Sequence, residues 1–196
     1  MSFVPTDPHR AATMLIEDYP LAWVVSRRFN ASPLPLLAEC DDSGALVALL
    51  GHCGRTNPLV ADLTDDPRGL ILCNGPAGYI APGLVAIEDW APTWNFATLR
   101  IEVDVGFVPK ETESSVERLL DHMERGAPER WSTAALGARR GALLSRIIAF
   151  RATVRHLDVR FKLGQDERPA ILDQIVAGHA DRTLAAWMDQ FGREAG

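Results

Sequence analysis

Apolar residues alternate with polar ones over two long stretches. Asn95 to Val108 carries Phe96, Leu99, Ile101, Val103 and Val105, and Ile147 to Leu163 interleaves apolar residues with Arg151, Arg155, His156 and Arg160. A period of two predicts strands with one face toward a core, the second one wet on its other face. Shorter β-rich runs at Leu21–Arg27 and Ala45–Leu50 are separated by the turn cluster Asp41-Asp42-Ser43-Gly44, and Gly69–Cys73 reads as a short apolar strand ended by Gly75-Pro76.

Helical spacing takes over elsewhere. Thr6 or Asp7 can cap a helix with Pro8 in its first turn and Ala12, Leu15 and Ile16 on one side; Asn57-Pro58 starts another with Leu59, Val60 and Leu63. Ser114-x-x-Glu117 has the form of a capping box before Val116, Leu119, Leu120 and Met123, with Gly126 placed to end that helix. The C-terminal stretch reads as a helical hairpin split at Gly178. Strands come first and helices fall at the ends and between the later strands, which predicts an α+β fold with a mainly antiparallel barrel. The periodicity fits a split barrel and an open sheet equally. Residues 1–165 are read as the barrel domain and 166–196 as a helical extension of it.

Composition narrows the picture. With 196 residues, 47% of them hydrophobic, the chain can fill one core. A net charge of −6 gives no field that gathers nucleic acid, so direct DNA binding is not expected. Cys40, Cys53 and Cys73 form no C-x-x-C pair and read as reduced, mostly buried thiols. With no apolar leader and no run of 18 apolar residues, the expectation is a cytosolic protein without a membrane span. The P-loop, Gly-x-Ser-x-Gly, Gly-x-Gly-x-x-Gly and His-Glu-x-x-His signatures are absent.

The chemistry concentrates in three islands rich in Gly, Pro and aromatic residues. They are Gly51-His52-Cys53-Gly54-Arg55-Thr56-Asn57-Pro58, Asn74-Gly75-Pro76-Ala77-Gly78-Tyr79-Ile80-Ala81-Pro82 and Trp90-Ala91-Pro92-Thr93-Trp94-Asn95-Phe96. Arg55 stands where a strand hands over to a helix, and free N–H groups beside a guanidinium favour an anion there. These islands resemble the PaiB-like family of FMN-binding negative transcriptional regulators, with its pattern Gly-His-x-Ala-Arg-x-Asn-Pro, then Gly-Pro-x-x-Tyr-Ile-Ser-Pro, then Val-Pro-Thr-Trp-Asn-Tyr. Phe161-Lys162-Leu163-Gly164-Gln165-Asp166 is similar to the family's Trp-Lys-Leu-Ser-Gln-Asn, so the resemblance spans residues 10–178.

The resemblance implies a split β-barrel of the FMN-binding type, a homodimer, and FMN at or near the subunit interface. Carried over by position, the cofactor-binding candidates are His52, Arg55, Thr56, Asn57, Tyr79, Thr93, Trp94 and Asn95. Arg55 is expected to hold the phosphate, Trp94 or Tyr79 to border the ring, and all three to share one hollow. The chain departs from the pattern at Pro33, at Ala81, Leu84 and Val85, and at Gly164 and Asp166. Each lost donor to phosphate would weaken binding by about 10- to 150-fold, so a degenerate flavin site is one expectation. Three other readings stay open: a flavin-dependent oxidoreductase or flavin reductase, a haem-binding split barrel using His52, His156 or His179, and an apo interaction module. For the late arginines, a solvated strand face or a salt-bridge row is expected.

Overall fold

A computed structural model of the chain describes residues 3–194. Six antiparallel strands, β1 (Leu21–Ser26), β2 (Ala31–Cys40), β3 (Leu46–Gly54), β4 (Arg68–Ile80), β5 (Thr93–Phe107) and β6 (Ile147–Lys162), close into a barrel in the order β1-β2-β3-β6-β5-β4. The helices are α1 (Pro8–Asp18), α2 (Pro58–Asp65), α3 (Thr112–Met123), α4 (Arg139–Leu144), α5 (Pro169–Gly178) and α6 (Arg182–Phe191). The fold is therefore the α+β barrel that the period-two runs predict, closed rather than open. Closure leaves no bare strand edge for another chain to pair with.

Alternation builds the core. Ala97, Leu99, Ile101, Val103 and Val105 of β5 point inward against Ile71 and Cys73 of β4 and Phe150, Val159 and Phe161 of β6, all buried. Along β6 the inward set changes from Ile148, Phe150 and Ala152 to Val159 and Phe161. That change of parity has a local cause: Glu102 pairs with His156 and Val103 with Val154, so Arg155 is the unpaired residue of a β-bulge. The irregular spacing of the late arginines is this bulge read in sequence.

Two boundaries differ from the sequence reading. Gly75-Pro76 does not end β4. Asn74 pairs with Thr98 and Ala77 with Phe96, so the two residues sit in a second bulge and the strand runs on to Ile80. A proline is tolerated there because a bulged position need not donate to the ladder. The Ser114-Glu117 pair does not form a capping box, since α3 begins at Thr112, Ser114 donates back to the Glu111 carbonyl at 3.0 Å, and Glu117 accepts from Arg140 at 2.9 Å.

Asp7 caps α1 by accepting from the Arg10 amide, and Asn57 caps α2 by accepting from that of Leu59. At one end of the barrel α6 buries Leu184, Trp187, Met188 and Phe191, with Phe161 edge-on to Trp187 and Phe191 at ring separations of 5.7 and 5.1 Å. No helix of the described residues is long and apolar enough to cross a membrane.

Candidate functional site

The eight candidate residues fall into two groups at opposite ends of β6. His52 lies on β3 near its end, and Arg55, Thr56 and Asn57 make the corner into α2, where Gly54 pairs with Ile147. Tyr79, Thr93, Trp94 and Asn95 lie where β4 and β5 pair beyond Phe96, which is opposite Lys162. Ile147 and Lys162 are the first and last residues of a 16-residue strand, a contour length of about 50 Å at ~3.3 Å per residue.

At the corner, the Arg55 amide donates to the Arg146 carbonyl at 2.9 Å and its Nε to the Ser145 carbonyl at 3.0 Å, which holds the guanidinium over the start of β6. Its Nη atoms and the Thr56 hydroxyl make no hydrogen bond among the described residues, so these exposed donors are free for an anion beside the α2 N-terminus. Asn57 is committed to structure: its side chain caps α2 and donates to Ser32 Oγ at 2.9 Å. His52 is half-buried on the outer side of β3, opposite in sense to the inward Gly51, and burial lowers its pKa below the usual imidazole value, favouring the neutral ring.

At the far end, Tyr79 and Trp94 pair edge-to-face with ring centroids 6.0 Å apart, and they are 47% and 60% exposed. Two large aromatics left this open form a wall that no side chain among the described residues covers. Asn95 turns the other way. It is 2% exposed under α6, its Nδ2 faces Met188 Sδ at 3.6 Å, and its buried Oδ1 has no partner among the described residues. Thr93 accepts a hydrogen bond from Lys162 Nζ.

The single hollow expected for Arg55, Tyr79 and Trp94 is not formed within one chain, because the barrel holds the guanidinium and the aromatic pair at opposite ends of β6. Three surface cavities of the described residues are lined by other side chains. The largest, about 530 Å³, opens on the outer face of β1, β4 and β5 among Arg27, Phe29, Arg68, Leu70, Arg100 and Arg155. Apart from Arg155, sequence reasoning passed over these residues. Only the register brings them together, with Val25 opposite Leu70, Leu70 opposite Glu102 and Arg68 opposite Asp104.

The model of the family described as "Putative FMN-binding domain" matches residues 3–156. The chain belongs to that family. The match contains all eight candidate residues and five of the six strands whole, and it ends inside β6.

No curated protein sequence matches the chain significantly. Among solved structures it is similar to the FAD and heme binding protein from Mycobacterium smegmatis, at TM-score 0.61 and 16% identity over 88% of this chain and 78% of that one. It is also similar to the flavocytochrome Anf3 from Azotobacter vinelandii, at 0.56 and 12% over 82% and 69%. A third likeness is to a "putative 5-nitroimidazole antibiotic resistance protein" from Bacteroides thetaiotaomicron, at 0.57 and 13% over 82% and 87%. At these identities the likeness shows a shared fold.

Proposed function

We propose that this protein binds FMN as a homodimer of the PaiB-like type, with the phosphate on the Arg55–Thr56 corner of one copy and the ring against Tyr79 and Trp94 of the other. The observation that carries this reading is the separation of two half-sites in one chain. Free cationic and hydroxyl donors stand at one end of β6, and an open aromatic wall stands at the other. The donor set fits a phosphorylated planar group, since guanidinium and helix-terminal amides suit a phosphate and aromatic edges suit a flat ring. Leu21 and Trp23, 62% and 46% exposed on the outer face, give a second copy an apolar surface to cover. When bound, the flavin supplies redox chemistry; the chain's own residues bind and orient it.

The role in regulation rests on the PaiB-like motifs. With a net charge of −6, DNA contact by this chain is not part of the proposal. A haem reading draws on two structural neighbours, the FAD and heme binding protein and the flavocytochrome Anf3. Of its candidate ligands, His179 is disfavoured, because its Nδ1 accepts from the Asp181 amide at 3.1 Å and its Nε2 lies 3.3 Å from the Tyr79 carbonyl oxygen.

The test is a flavin titration joined to a measurement of mass in solution. A dimer that shifts the flavin spectrum and quenches FMN fluorescence, and loses both properties on Arg55→Ala and on Trp94→Ala, supports the reading. A monomer that binds FMN with both variants unaffected defeats it.

A further inference from the structure

The 530 Å³ cavity belongs to neither half-site, and its lining is the most basic of the three cavities described above. We infer that it is a second anion site, distinct from the Arg55 corner, which takes a phosphorylated planar molecule of mononucleotide size.

The cavity is built from elements fixed for other reasons. Asp62 of α2, 8% exposed, accepts from Ser26 Oγ at 2.6 Å and from Asn30 Nδ2 at 2.7 Å, clamping both ends of the β1–β2 turn. The clamped turn presents Arg27 and Phe29. The β6 bulge leaves Arg155 outside the ladder beside Glu102 and Asp104, while Arg68 and Arg100 stand on the outer faces of β4 and β5.

The four guanidiniums are held loosely. Arg27 and Arg68 share Asp66 at 3.5 and 3.6 Å, Arg155 reaches Asp104 at 3.4 Å, and only Arg100 has a close partner, Glu102 at 2.7 Å. Four cations thus face three carboxylates, an excess of one positive charge. Exposed pairs of this kind contribute little to stability, so a phosphate can displace them without cost to the fold, and guanidiniums engage phosphate oxygens bidentately.

Phe29 gives the site its second character. It is 88% exposed at the rim and sits at φ +66°, a left-handed conformation that bulky residues rarely adopt. A strained backbone that puts a phenyl ring into water makes sense where the ring meets a ligand. With Val25 and Leu70 in the lining, the site offers apolar surface to a flat group and cations to its phosphate. Its volume suits a small organic ligand rather than a bare ion.

The test uses the full chain and measures binding of AMP and of inorganic phosphate by calorimetry, with FMN titrated in parallel. AMP is expected to bind more tightly than phosphate. Arg100→Gln with Arg155→Gln should weaken both by about tenfold or more, and Phe29→Ala, at an exposed position, should remove the preference for AMP. Arg55→Ala should weaken FMN binding and retain the AMP binding that depends on Arg100 and Arg155. The inference is overturned if AMP shows no binding near about 1 mM, if the Arg100/Arg155 double variant binds AMP as the parent does, or if Arg55→Ala abolishes AMP and FMN binding together. Preference for a single-stranded oligonucleotide over AMP would overturn it as well.

Discussion

Over β3 and the first half of β6 the barrel is covered; over β1, β4 and β5 its outer surface lies open. On the covered side α3 packs on β3 and β6, and the outward-facing Ala48 and Leu50 are only 6% and 1% exposed. Arg151 ties the covering segment down, donating through Nε to Glu39 at 2.6 Å and through Nη2 to Glu111 at 2.9 Å, while Arg118 of α3 reaches Glu39 at 2.7 Å. On the open side the corresponding outward positions are Trp23, Leu70 and Leu72, none of them buried, with arginines whose carboxylate partners are mostly distant. One barrel thus shows two finishes: charge used as a fastening where a helix lies, and charge left free where something else can bind.

The interior shared by both sides should show the largest effect. Phe150 is 2% exposed and meets Phe107 edge-on at 6.5 Å. Phe150→Ala is expected to cost about 3–5 kcal/mol, read as the midpoint of urea unfolding. Gly51→Ala should cost about 1–3 kcal/mol, because an added Cβ would lie 2.7 Å from both Leu36 and Phe150 side chains.

The covered side is broken at its fastening. Arg151→Ala leaves Glu39 and Glu111 facing each other without their common cation, and about 1–2 kcal/mol should be lost, with faster amide exchange confined to α3 and its approach. The same network sets an acid limit. Hydrogen bonding to Arg151 is the main cause that holds the Glu39 carboxyl below its usual value of 4.5. The unfolded chain therefore takes up that proton more readily than the folded one. The stabilisation is complete above about pH 4.5 and is lost as pH falls through the lower folded-state value. Thermal unfolding between pH 7 and pH 3 should show this loss, and Glu39→Gln should flatten it by about 1 kcal/mol or less.

The open side should respond in the opposite way. Trp23→Ser is expected to change unfolding of the chain by only about 0.5 kcal/mol, yet to shift sedimentation from dimer toward monomer. A variant that stays dimeric would move the interface away from this face. A small effect of the opposite sign is expected at Phe29: Phe29→Asn relieves the φ +66° backbone and should stabilise by about 0.5 kcal/mol or less.

The barrel was legible in sequence because the β5 run, from Ala97 through Val105, keeps an unbroken period of two. Where bulges intervene, the pattern misleads: Gly75-Pro76 reads as a strand end, and the phase change at Arg155 reads as imperfect alternation. The short helix at Arg139–Leu144 has no side-chain cap and no buried residue, which leaves no sequence signal for it. The site was legible as islands but not as geometry. Adjacent letters in a strand face opposite ways, so Trp94 is exposed while Asn95 is buried. The arginines around Phe29 come from four separate segments, and only the strand register assembles them.

Arg55 is the residue on which the proposed phosphate binding depends most directly, and one titration tests it. Purified protein mixed with FMN should develop a shifted flavin spectrum with saturable quenching, and Arg55→Ala should lose at least about tenfold in affinity while unfolding at the parent midpoint. A protein that leaves the spectrum and fluorescence of free FMN unchanged at every flavin concentration, or one whose Arg55→Ala variant binds FMN as the parent does, would contradict it.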